Sequence, residues 1–139
     1  MPLTPSFDAP APASTNPPSR DWRALVRENG TPTFAAAFAD DAVLEASVLE
    51  RPLTGPDAIG RFFKATSGMY DSLEFTHETR DGRKMYLEWS GHVFGQEVGG
   101  VTIVTRRADD RIESVRLYHR PFSVVSRFSA ELARRMEQQ

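Results

Sequence analysis

Three histidines are the side chains best placed by type to do acid–base work: His77, His92 and His119. Imidazole titrates near neutrality and is the commonest general acid or base. His77 alternates with Leu73 and Phe75, and His119 alternates with Val115 and Leu117. In strands, residues two apart share a face, so both histidines are expected on an apolar, covered face as candidate catalytic groups. Tyr118 beside His119 is the candidate proton donor. The plainer reading is that each histidine is a hydrogen-bonded residue at a strand rim. His92 has the opposite parity from Trp89, and no two histidines have HxH or HxxxH spacing, so no metal site is expected.

Cysteine is absent. Thiolate catalysis, disulfides and Cys-ligated zinc are therefore excluded. No G-x-S-x-G, Gly-rich phosphate loop or Ser/His/Asp signature is present, and no cofactor is expected. Trp22, Trp89, Phe62 and Phe63 could build an aromatic wall of the kind that holds apolar or ring-containing ligands. Core packing is the better account of Phe62, whereas Trp89, close to Gly91, has room beside it. The expected ligand-binding set is Trp22, Phe63, Trp89, Thr102 and Tyr118. Asp40-Asp41 reads as a turn, and the run Arg106, Arg107, Arg111, Arg116 and Arg120, interleaved with acids, reads as a solvated or dimer-facing surface.

The chain of 139 residues carries a net charge of −2, with 40% apolar and 26% charged residues, the balance of one globular domain. Such a charge gives no field favouring nucleic acid or an anionic membrane. No apolar run is long enough to span a bilayer, and the N-terminus lacks the pattern of a signal peptide, so a cytoplasmic location is expected. Residues 1–19 contain Pro2, Pro5, Pro10, Pro12, Pro17 and Pro18 and are expected to form a disordered tail before a domain over 20–139.

The positions above need elements to hold them. Helices are expected from Asp21, from Pro32 to about Ala39, and from Asp57 to about Ser67 with Ile59, Phe62, Phe63 and Thr66 on one side. Alternation predicts strands over 42–49, 73–80, 84–94, 98–107 and 111–119, and a last helix follows Pro121. Helices before a meander indicate an α+β fold: a curved, mostly antiparallel sheet, three helices in the N-terminal half forming a cone with a central pocket, and a C-terminal helix.

The run Phe38-Ala39-Asp40-Asp41-Ala42-Val43, then Gly55-Pro56-Asp57-Ala58-Ile59 leading to Phe62-Phe63, resembles the nuclear transport factor 2-like superfamily, and its SnoaL-like branch in particular. Tyr86-Leu87-Glu88-Trp89 and Ser114-Val115-Arg116-Leu117-Tyr118-His119 are similar to that branch as well. The resemblance spans roughly 21–119 and implies a cone-shaped, commonly dimeric fold. Its members include isomerases, cyclases, dehydratases, epoxide hydrolases and binding modules, so the fold does not choose an activity. Against the ketosteroid isomerase pattern, the phenol falls at Trp22, the carboxylate base at Ala46 and the buried acid near Ile103 or Val104. None of these can perform that chemistry, and only histidine is left to act as an acid or base. The reading favoured is a small-molecule-binding domain for an apolar or aromatic ligand, as a homodimer through the outer sheet face. The alternatives are a lyase, isomerase or cyclase using a pocket histidine, or a dimeric scaffold with a vestigial pocket.

Overall fold

A computed structural model of the chain describes residues 18–138. The expected proline-rich tail, up to residue 17, lies outside the described residues. The elements are α1 (Pro18–Arg27), α2 (Pro32–Ala37), β1 (Phe38–Ala46), β2 (Leu53–Thr54), α3 (Pro56–Ser67), β3 (Tyr70–Asp81), β4 (Lys84–Val93), β5 (Gln96–Arg106), β6 (Ile112–Arg120) and α4 (Phe122–Glu137). This is the expected α+β class. Six strands form one sheet in the order β2-β1-β6-β5-β4-β3, antiparallel except for the β1–β6 pair. Among the described residues, no helix is long and apolar enough to cross a membrane.

Local chemistry sets most boundaries. The Thr31 hydroxyl caps α2 by accepting from the Phe34 amide at 3.3 Å, with Pro32 in the first turn, where its missing N–H costs nothing. In α3, Ile59, Phe62, Phe63 and Thr66 are all buried on the face predicted from their spacing. The β4–β5 turn is Phe94-Gly95, both at positive φ, which matches the twist of the flanking strands.

Several elements differ from expectation. Helix α1 begins at Pro18 rather than near Asp21, since proline is well tolerated in a first helical turn. Helix α2 stops at Ala37, and Phe38 and Ala39 already belong to β1, fully buried, because sheet pairing outweighs the helical preference of the Ala run. Leu53-Thr54, outside every expected strand, is a short strand beside β1.

The inner face of the sheet is built in cross-strand rows. Met85, Val104 and Val115 form one row; Leu87, Thr102, Leu117 and Ala46 form the next; Phe75, Trp89, Gly100 and His119 form the third. Helices α3 and α4 close over these rows with Ile59, Phe62, Phe63, Val124, Phe128 and Leu132. Three of the five arginines of the last strands and their turn pair with acids. Arg107 pairs with Asp41 and Glu113, Arg111 with Asp40, and Arg116 with Glu45. Asp40-Asp41, expected as a turn, lies within β1, where the pair ties that strand to the β5–β6 turn through Arg107 and Arg111.

Candidate functional site

A cavity of about 360 Å³ lies between the third inner row and helices α1 and α3. Each wall comes from a different element. Helix α1 contributes Trp22, Arg23, Val26 and Arg27, which recur at one-turn spacing and so share a face. Helix α3 contributes Phe62, Phe63, Thr66 and Ser67; the start of β3 contributes Tyr70, Leu73 and Phe75; the sheet floor contributes Trp89, Thr102, Leu117 and His119.

Three ring pairs meet edge to face, and a fourth, His119 with Phe128, is tilted at 43°. Trp22 lies 5.6 Å from Phe63 at an interplanar angle of 79°, and Tyr70 lies 5.9 Å from Trp89 at 87°. Trp89 lies 5.3 Å from His119 at 75°, and His119 lies 5.6 Å from Phe128. Edge-to-face packing matches the positive edge of one ring to the negative face of the next. It also fixes the indole of Trp89 between Tyr70 and His119. Gly100 makes this possible: a Cβ there would stand 2.7 Å from Trp89 Cζ2 and would collide with the Tyr118 carbonyl oxygen. Gly100, not Gly91, is therefore the glycine that gives Trp89 its room. Gly91 instead admits the close approach of the Ser72 carbonyl.

His119 sits at the floor. Burial lowers its pKa from 6.5 to about 4, opposed in part by the Leu117 carbonyl. The ring is neutral at pH 7. Its Nδ1, like Nε1 of Trp89, is buried without a hydrogen-bond partner among the described residues. A ligand would therefore meet the remainder of the imidazole, not Nδ1. The backbone is held firmly: the Ser47 hydroxyl accepts from the His119 amide at 3.1 Å and donates to the Leu117 carbonyl at 3.3 Å. Burial also raises the Tyr70 phenol above its ordinary range, so it is a neutral donor.

Five of the seven predicted site residues line this cavity: Trp22, Phe63, Trp89, Thr102 and His119. His77 and Tyr118 do not. His77 is exposed and pairs with Glu88; Tyr118 is 52% exposed and pairs with Val101. Both belong to one outer row, on the opposite face from Trp89 and His119. For His77 the cause is a register shift between Phe75 and His77. The extra residue, Thr76, turns every later β3 side chain to the other face. Phe75 therefore points inward opposite Trp89, and His77 points outward. For Tyr118, simple alternation with Leu117 and His119 decides the face. Tyr70 and the two α1 arginines were not singled out from the sequence. A second shift, at Asp71, hides Tyr70 from any alternation counted back from Leu73. Arg23 and Arg27 are detectable only as neighbours of Trp22 and Val26 on one helical face.

No family model matches the chain, and no curated protein is similar to it in sequence. Solved structures are similar in fold. A steroid delta-isomerase from Pseudomonas aeruginosa is 20% identical, with a TM-score of 0.75 over 86% of this chain and 89% of that one. A candidate polyketide cyclase from Sinorhizobium meliloti is 28% identical, with a TM-score of 0.54 over 68% of this chain and 86% of that one. A candidate isomerase of the SnoaL-like family from Agrobacterium tumefaciens is 15% identical, with a TM-score of 0.55 over 74% and 94%. The chain shares the α+β, cystatin-like fold of these structures, the fold that the resemblance in its sequence implies.

Proposed function

We propose that the domain binds a small ring-containing molecule reversibly in the cavity above Trp89. The carrying observation is the composition of the walls: rings from α1, α3, β3 and β4 converge on a space of about 360 Å³, within the size range of ligand pockets. A space of this size lined by well-packed rings is uncommon in a core filled for stability alone, because interiors close-pack. The polar groups at the floor and sides are few beside the rings: the Thr66, Ser67, Tyr70, Ser72 and Thr102 hydroxyls and the His119 ring.

An acid–base role for His119 is less well supported. A base is most effective when its pKa lies near the working pH, and His119 lies well below it. The resemblance to the ketosteroid isomerase pattern puts its proton-transferring positions at Trp22, Ala46 and Ile103 or Val104, none of which transfers a proton at neutral pH.

Mass spectrometry of protein purified under native conditions is expected to detect a co-purifying compound. Trp89→Ala should then weaken its binding by about 1–3 kcal/mol, the cost of losing a buried aromatic contact. Unchanged affinity in a folded Trp89→Ala variant would exclude this cavity as the binding site.

A further inference from the structure

Two cationic side chains stand on the rim of an otherwise apolar cavity. Arg23 and Arg27 are one helical turn apart on α1, exposed, and both line the opening. No carboxylate among the described residues forms a salt bridge with either. The guanidinium of Arg23 is instead held 5.3 Å above the Phe75 ring, which orients it at the cavity edge. One acid, Asp71, is among the lining residues, and its Oδ2 already accepts from the Gly95 amide at 3.3 Å. The rim therefore carries two positive charges against one negative, on a chain whose net charge is −2. Inside, the walls are rings, and the floor histidine is neutral at pH 7. An anion's counter-charge can come from the rim and not from the floor.

We propose that the ligand is an amphipathic monoanion: an aromatic or aliphatic body in the cavity, with its carboxylate at the rim between Arg23 and Arg27. This rests on the cavity being the binding site. It adds the charge, polarity and orientation of what binds there. Guanidinium is suited to carboxylate because its donors form a planar fork matching the two oxygens. An aromatic lining by itself would also suit an organic cation through its ring faces, but two arginines at the entrance oppose one.

Three probes of one shape separate these cases: 2-naphthoic acid, 2-naphthamide and 2-(aminomethyl)naphthalene, titrated calorimetrically into the full chain at pH 7 and low salt. The acid is expected to bind about fivefold to tenfold more tightly than the amide, the range given by one or two solvent-exposed ion pairs. The advantage should shrink as salt is raised, since the rim is exposed. Arg23→Gln/Arg27→Gln should abolish the advantage, bringing the ratio of acid to amide affinity to about one. Arg27→Gln alone, which spares the Arg23–Phe75 contact, should remove part of it if the double variant melts early. Equal affinity of acid and amide, tightest binding by the amine, or an acid advantage that survives the double variant would overturn the inference and leave the cavity reading standing. Failure of all three probes to bind at millimolar concentration would overturn both.

Discussion

Acidification is expected to destabilise this domain through one residue, His119. Its pKa falls from 6.5 to about 4 on folding because the ring is buried against Trp89 and Phe128, which offer no charge to offset the lost hydration. A group whose folded pKa is depressed binds its proton more readily in the unfolded chain. For a histidine this means that stability is complete above the unfolded pKa and is lost as pH falls from 6.5 towards 4. At pH 5 the unfolded ring is almost fully protonated while the folded ring is not. About 1.5 pH units of differential protonation, at about 1.4 kcal/mol each, corresponds to roughly 2 kcal/mol lost between pH 7 and pH 5. Urea unfolding at both pH values, in the wild type and in His119→Phe, isolates this contribution, because every other titrating group is common to the two proteins. The wild type should lose roughly 2 kcal/mol more than the variant, on the order of a quarter of the stability of a typical domain. Equal losses would refute the argument. They would show that the imidazole is hydrated in the folded state and that the cavity floor is wet.

Gly100→Ala should destabilise the fold by about 1–3 kcal/mol and disturb the Trp89 environment, seen as a shift in its fluorescence, since the new methyl would stand 2.7 Å from Cζ2. Ser47→Ala removes the hydroxyl that accepts from the His119 amide and donates to the Leu117 carbonyl, and should cost about 1 kcal/mol in urea unfolding. His77→Ala should leave ligand affinity unchanged, because His77 is exposed on the outer face; a loss of affinity would return it to the pocket. Sedimentation at tens of micromolar should reveal a dimer if the outer face, with Tyr118 exposed and Tyr86 half-buried, is a self-association surface.

Spacing alone determined a good deal of this protein. The 3.6-residue recurrence of Ile59, Phe62, Phe63 and Thr66 marked the buried face of α3, and the strict alternation of Met85, Leu87 and Trp89 marked the inner face of β4. These elements keep their period from end to end, so counting from one anchored residue places all the others. His119 was legible for the same reason, two residues from Leu117 on an uninterrupted strand end. Tertiary structure decided what counting could not reach. In β3 the period breaks twice, at Asp71 and at Thr76, and each extra residue reverses the facing of whatever follows; Tyr70 entered the cavity and His77 left it on that account. The shifts leave no mark in the residue types, because they are set by how β3 pairs with β4. The space beside Trp89 is likewise a cross-strand property: Gly100 lies 11 residues away in sequence and directly opposite in the sheet. The charge of the rim arises only when α1 docks beside β3, bringing two solvent-facing arginines to the edge of an apolar hollow.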